Sequence, residues 1–144
     1  MAILNYTTKI QAEQTAGEIQ KILSGAGAKA ITCEYNDDQI MCAMSFSIMT
    51  EHGMIAFRLP AQMDGVYQAL QKTKASPAMK SHEQAARVAW RILKDWVEAQ
   101  VAIIEAGMAE AIEAFLPYAM DKDGNTVYSR IQSGDFLSLT YKEV

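Results

Sequence analysis

The side chains that can do acid–base or nucleophilic chemistry are few in this sequence and lie far apart. His52 and His82 are the only histidines in the 144 residues. Neither stands at a triad spacing from a serine or cysteine, although triads assemble in space and not in sequence. His82 lies between Ser81 and Glu83, a context typical of a helix start. We therefore interpret both histidines as surface or capping residues, and an enzyme built around His82 and nearby acids is our third functional hypothesis.

Metal and cofactor motifs are incomplete wherever the sequence approaches one. Cys33 and Cys42 have neither CxxC spacing nor nearby histidines, so we interpret them as buried thiols in a reducing cytosol. The DKDGN stretch, residues 121–125, starts like an EF-hand loop but lacks the glutamate at position twelve, and a turn is the better interpretation. The glycine-rich SGAGA, residues 24–28, follows a predicted helix and lacks the lysine and hydroxyl of a phosphate loop. We predict neither a metal nor a cofactor.

Positive charge concentrates in one part of the chain, around the connector that precedes residue 81. The net charge is −4 and the pI about 5.1, with residues 1–80 balanced at seven basic and seven acidic side chains. This acidic balance disfavours a duplex-DNA surface, which needs clustered lysine and arginine. It is compatible with a small basic pocket for an anion. The predicted ligand-binding residues are Arg58, Lys80, Arg87 and Arg91.

Alternating and helical hydrophobic patterns predict an α+β fold with an antiparallel sheet of about four strands. Turn residues separate the central strands, which favours a meander. The predicted strands are Ile3–Ile10, Lys29–Tyr35, Ile40–Thr50 and Met54–Leu59, and short helices are predicted at Ala12–Leu23 and Met63–Lys74. Val127–Ile131 and Phe136–Tyr141 are predicted to be short terminal strands or a loose tail.

The stretch Ser81–Pro117 is predicted to be one long helix that organises the rest of the chain. Strong helix formers fill it and no proline interrupts it before its end. About 36 residues give a rod of roughly 54 Å, whereas a compact domain of this size is about 37 Å across. Either the rod breaks near Gly107, or it projects and is covered by another copy of the chain. We favour the second alternative.

The order of charges along this helix also favours self-association. Its basic residues come early and its acidic residues late, which opposes the helix dipole. Two copies packed antiparallel would set each basic half against an acidic half, although charge pairs four residues apart would equally make a solvated face. The sequence therefore predicts a homodimer or higher homo-oligomer. The predicted interface residues are Trp90, Trp96, Ile103, Ile104 and Met108.

Length and hydropathy place the chain among ordinary globular proteins. We predict a single α+β domain, with the sheet and short helices in 1–74, the long helix in 81–117 and a C-terminal tail in 118–144. No apolar run approaches the roughly 18 residues of a membrane span. The first residues lack the basic and apolar regions of a signal peptide. We expect the protein to be neither exported nor membrane-bound.

Several short stretches resemble a family of small proteins encoded by tailed phages and prophages. They are NYTT near the start, FRLP at residues 57–60, RVAWRILKDWVEAQ at 87–100 and FLPY at 115–118. The tryptophan-rich helix is the most specific of them. The resemblance implies a location in the host cytoplasm and an accessory role during infection, and it transfers no catalytic residue.

Three functional hypotheses follow. The first is a non-enzymatic oligomeric binding protein that sequesters a nucleotide-like anion or inhibits a host defence factor. The second is a single-stranded nucleic-acid accessory factor in replication or recombination, with Trp90 or Tyr67 as a stacking surface. The third is the enzyme built around His82.

Overall fold

The computed structural model of the protein describes residues 2–134 and contains a three-stranded antiparallel sheet. The predicted α+β class is confirmed, but the described residues form three strands where about four were expected. The strands, in spatial order, are β1 (Ala28–Tyr35), β2 (Met41–Thr50) and β3 (Gly53–Pro60). The helices are α1 (Ala12–Gly25), α2 (Met63–Gln71), α3 (His82–Glu105), α4 (Ala111–Ala114) and α5 (Val127–Gln132). Short 3-10 turns, Pro77–Lys80 and Leu116–Tyr118, precede α3 and follow α4.

Two tight turns fix the register of the sheet. Between β1 and β2, the side-chain oxygen of Asn36 accepts hydrogen bonds from the backbone N–H groups of Asp38 and Ile40, at 2.9 and 3.0 Å. Between β2 and β3, the Thr50 hydroxyl accepts from the His52 N–H at 3.0 Å, and Gly53 takes a φ of +101°. Such side-chain turns and a left-handed glycine are what a two-strand reversal requires.

The helices cover one face of the sheet. Phe46 pairs across strands with Phe57, and both rings are buried against the helical layer. One residue further along, Ser45 pairs with Arg58, and alternation points both toward the opposite face. This opposite face carries mostly small and polar side chains, as is usual for one side of an antiparallel sheet, together with the exposed side chains of Met49 and Met54.

Helix α3 lies at the centre of the core. Its Trp90 has no exposed surface, and the indole N–H donates a hydrogen bond of 3.1 Å to the carbonyl of Met41. Trp90 is thus a core residue of its own chain, and its predicted place in an interface between copies is wrong. At 24 residues the helix is only about 36 Å long, which fits within one domain.

The predicted helix Ser81–Pro117 is wrong in its last third. Helix α3 ends at Glu105, and Gly107 then takes a φ of +74°, a conformation that ends helices. The break near Gly107, the less favoured of our two alternatives, is the one observed. The length argument for a second copy no longer applies. Of the other predicted interface residues, Trp96, Ile103 and Ile104 are half-buried and Met108 is 74% exposed.

The chain after this break returns to the core through Phe115. That side chain is fully buried, and its ring centroid lies 5.2 Å from that of Phe46 and 5.6 Å from that of Trp96. The next residues run beside β3, where the Met120 N–H donates to the Ala56 carbonyl at 2.8 Å. An aromatic cluster therefore joins the sheet, α3 and the C-terminal part of the described chain.

The N-terminal segment is not a strand, contrary to the prediction for Ile3–Ile10. Asn5 takes a φ of +65°, which is incompatible with an extended strand. The segment instead lies along α3, because the side-chain amide of Gln84 donates to the carbonyls of Tyr6 and Thr8 at 2.8 and 2.9 Å. Asn5 adds a 2.9 Å hydrogen bond to Asp95.

We expect Gln84→Ala to release this N-terminal segment. Gln84 is 1% exposed, so its loss leaves backbone carbonyls unpaired and lowers the free energy of unfolding by about 1–3 kcal/mol. Hydrogen exchange should accelerate most at residues 5–10. Gln14→Ala on the exposed side of α1 is the matched control, and equal effects of the two changes would contradict this role.

The end of the described chain also differs from the prediction. Val127–Gln132 is helix α5 and not a strand, because Thr126 caps it by accepting a 3.1 Å hydrogen bond from the Ser129 N–H. The predicted strand Phe136–Tyr141 lies outside the described residues. Within 2–134, every helix is too short or too polar to cross a membrane.

Candidate functional site

The start of α3 brings an aromatic pair to the surface. The rings of Tyr67, on α2, and His82, the first residue of α3, stack with centroids 3.8 Å apart and planes inclined by 2°. Parallel rings at this distance are stacked face to face, so each covers one face of the other. A further planar group can therefore contact only an outer ring face of this pair, which we call the platform. Tyr67 is half-buried and His82 is exposed. The platform therefore has solvent access.

Hydrogen bonds between α2 and the turn before α3 hold this pair in place. The side-chain amide of Gln71 donates to the carbonyl of Lys80 at 2.7 Å and to that of Tyr67 at 3.3 Å. Ser81 then caps α3 by accepting from the Gln84 N–H at 3.0 Å. The position of His82 opposite Tyr67 thus follows from the helix start that the sequence marks.

Two of the four predicted ligand-binding residues lie close to the platform. The Lys80 ammonium is 3.5 Å from the carbonyl of Gln71, and Arg87 donates its Nε–H to the Gln84 side chain at 2.9 Å. Neither belongs to an ion pair within the described residues. Both cations are therefore available to an anion.

Arg87 and His82 also line a cleft of about 220 Å³ between α3, the start of α1 and the approach to β2. Its walls include Ile40 and the carboxylates of Glu13 and Glu83. These acids make the cleft mixed in charge.

The other two predicted ligand-binding residues are occupied elsewhere. Arg91, whose side chain is 14% exposed, pairs with Glu18 of α1 at 2.5 Å. Arg58, on the sheet face opposite the helical layer, forms a two-point pair with Glu34 of β1 at 2.8 and 3.4 Å. The four cations consequently do not form one cluster, and Arg58 and Arg91 each belong to an ion pair.

The histidines assemble no catalytic set within residues 2–134. The ring contact of His82 is with Tyr67, and no hydrogen bond joins its imidazole to an acid or a nucleophile there. No group of three or more His, Cys, Asp or Glu among the described residues can hold a metal ion. In the part of the chain that the structure describes, no acid or nucleophile is hydrogen-bonded to His82 as the enzyme hypothesis requires.

The DKDGN stretch is a turn closed by an internal cation. One carboxylate oxygen of Asp121 accepts from the N–H groups of Asp123 and Asn125 at 2.9 and 3.0 Å. Its other oxygen accepts from Arg130 at 2.7 Å. The Asn125 hydrogen bond, followed by that of Arg130, lowers the pKa of Asp121 below its ordinary value of 3.8.

This lowered pKa predicts a dependence of stability on pH. Asp121 stabilises the fold above its unfolded-state pKa, and this contribution is lost as the pH falls through the lower folded-state pKa. We expect Asp121→Asn to lower the Tm at pH 7, and the Tm difference from wild type should shrink as the pH falls below 3.8. Asp123→Asn is the control, because it keeps the Asp121 bonds and removes only the longer 3.3 Å ion pair of Asp123 with Arg130. A Tm difference that is constant from pH 7 to pH 2 would contradict this assignment.

Sequence reasoning did not pair Tyr67 with His82. The two are 15 positions apart on different helices, so no periodicity links them. Only the packing of α2 on α3 does so. The only local signal for the position of His82 was the predicted helix start at Ser81.

The comparisons with known proteins add no relative. No family model matches the sequence, and the searches of curated proteins and of solved structures gave no significant match.

Proposed function

We propose that this chain is a non-enzymatic binding protein for an anionic ligand that carries a planar ring, such as a nucleotide. The observation that supports this most is the Tyr67–His82 stack beside Lys80 and Arg87. Aromatic platforms bind the flat faces of bases, and lysine and arginine bind phosphate oxygens. The N-terminus of the 24-residue helix α3 adds its positive dipole end.

The resemblance to small phage proteins sets the proposed context. In the host cytoplasm such a protein would sequester its ligand, or inhibit a host defence factor that depends on it. Neither role requires turnover.

Calorimetric titration of the full chain tests the proposed site. We expect adenosine monophosphate to bind at least about tenfold more tightly than either inorganic phosphate or adenosine, because only the nucleotide uses the platform and the cations together. Tyr67→Ala and Arg87→Glu should each weaken nucleotide binding by about tenfold or more. Arg87→Glu is preferred to Arg91→Glu, since Arg91 holds α1 through Glu18.

Lys122→Glu is the matched control, because Lys122 is exposed in the DKDGN turn. It removes the same charge without touching the site. Equal losses in the Lys122 and Arg87 variants would show a general charge effect. The same outcome, or no nucleotide binding at millimolar concentration, would refute the proposal.

Single-stranded nucleic acid is the alternative ligand, because it offers the same rings and phosphates. This alternative was expected to use Trp90 or Tyr67 for base stacking, and Trp90 is fully buried. A longer oligonucleotide that binds far more tightly than the mononucleotide, with affinity falling steeply as salt rises, would favour this alternative.

Self-association remains a proposal that rests on fewer residues than the sequence suggested. Met108 is exposed, and Ile103 and Ile104 are half-buried at the same end of α3. Sedimentation velocity at micromolar concentration tests it: a homodimer that Met108→Glu dissociates is expected, and a wild-type monomer would refute it.

A further inference from the structure

A groove on the side of the molecule formed by β3, α2, α3 and α5 is separate from the proposed nucleotide site. It consists of two hollows of about 250 and 300 Å³. Both are lined by Pro60, Gln62 and Tyr118, so they are adjacent. Together they fall within the roughly 300–1,000 Å³ of small-molecule sites.

The end of the groove nearer α3 is apolar. Its walls are Val66 of α2, Ile92 and Leu93 of α3, and the ring of Trp96. Trp96 is held edge-on by Tyr118, with ring centroids 5.4 Å apart. These half-buried side chains leave apolar surface that a ring or branched chain can cover.

The end nearer α5 is polar and carries hydrogen-bond donors. Arg58, Gln62, Tyr128 and Gln132 reach it, and none of its described lining residues is acidic. Glu34 engages the Nε and Nη2 of Arg58, so the Nη1 group makes no hydrogen bond within the described residues. The ion pair therefore fixes the guanidinium while leaving donors for another acceptor.

We propose that this groove binds a small carboxylate with an aromatic or branched apolar body. The body lies against Trp96 and Ile92, and the carboxylate accepts hydrogen bonds from Arg58 and the nearby amides. The polarity of the groove matches such a ligand at both ends. The apolar hollow receives the ring or branched chain, and the hollow with hydrogen-bond donors receives the carboxylate. A ligand with an uncharged head loses charge-assisted hydrogen bonds.

The test uses 4-biphenylacetate as the probe and methyl NMR of the full chain as the readout. At ordinary ligand efficiency its 16 or so non-hydrogen atoms give a dissociation constant on the order of 0.3 mM. Shift changes should be largest at Val66, Ile92 and Leu93. The matching alcohol, 2-(biphenyl-4-yl)ethanol, should bind at least about fivefold more weakly.

Two variants separate the two ends of the groove. Ile92→Glu places a charge among the apolar walls and should weaken both probes by about tenfold or more. The double change Glu34→Gln with Arg58→Gln removes the ion pair without leaving an unpaired charge, and it should abolish the preference for the acid. Circular dichroism establishes that both variants fold.

Three results would overturn the proposal. They are shift changes located outside the groove, equal affinities of acid and alcohol for the wild type, and binding that Ile92→Glu does not weaken. Arg87→Glu should leave biphenylacetate binding unchanged, so a failure here is distinguishable from a failure of the nucleotide site.

Discussion

Trp90→Ala is expected to lower the free energy of unfolding by about 3–5 kcal/mol, the usual cost of emptying a buried tryptophan site. The side chain has no exposed surface and lies among residues of α1, the sheet and α3. The change also leaves the Met41 carbonyl without its indole donor. The Tm should fall by roughly 10–20 °C. Urea denaturation followed by circular dichroism measures this loss.

A second change at this position separates the contribution of buried side-chain volume to stability from that of the indole hydrogen bond. Trp90→Phe keeps much of the ring but removes the donor to Met41, so it should cost less than Trp90→Ala. Tyr128→Ala, at a residue 52% exposed, should change stability by under about 0.5 kcal/mol. A Trp90→Ala protein as stable as wild type would mean that this tryptophan is not a core residue.

Phe115→Ala should be nearly as damaging, at about 3–5 kcal/mol. Phe115 is fully buried, and its ring packs against Phe46, Phe57 and Trp96 at 5.2, 5.7 and 5.6 Å. Removal of this ring opens a cavity and also detaches the segment that follows α3. Thermal unfolding and hydrogen exchange should show the loss first in residues 111–132.

Leu116→Ala provides the control for this change, because Leu116 is the next residue and is 45% exposed. It should cost less than about 1 kcal/mol. Similar losses at the two positions would contradict the anchoring role of Phe115.

The sheet was predictable because its signals are local. The predicted strands Lys29–Tyr35, Ile40–Thr50 and Met54–Leu59 each fall within one residue of an observed strand at both ends. Alternating apolar residues define each strand and short turn sequences separate them. Nothing outside these stretches is needed to specify them.

The long helix was mispredicted because composition does not report where a chain must turn back. Residues 108–116 have the alanine, glutamate and isoleucine content of a helix, and residues 111–114 do form the short helix α4. The turn at Gly107 allows Phe115 to reach the sheet. The need for this turn arises from a contact between residues far apart in the sequence, and helix propensity does not depend on such contacts.

The N-terminal segment shows the same limit. Its β-branched residues favour a strand, but the Tyr6 and Thr8 carbonyls accept hydrogen bonds from Gln84, which is 78 and 76 positions away. A long-range side chain thus overrides local preference. The start of α5 was missed because one threonine cap determines it.

Only part of the candidate site could be predicted, because the sequence does not show which basic side chains form ion pairs. The sequence identifies cations but not which carboxylate each one meets. Arg91 meets Glu18 across 73 positions, and Arg58 meets Glu34 across 24. Lys80 and Arg87 belong to no ion pair within residues 2–134, and their ligand-binding role stays a prediction. The aromatic platform required the packing of two helices.

The hydrogen bond from Met120 to Ala56 has a consequence for how copies of this protein can meet. It occupies one backbone carbonyl on the outer side of β3, so a foreign strand cannot pair along the full length of that border. The border of β1 carries Lys29 and Glu34 and two register irregularities, features that resist edge-to-edge growth. For residues 2–134, extension of the sheet is therefore disfavoured on both flanks, and we expect a homo-oligomer to use side-chain surfaces instead.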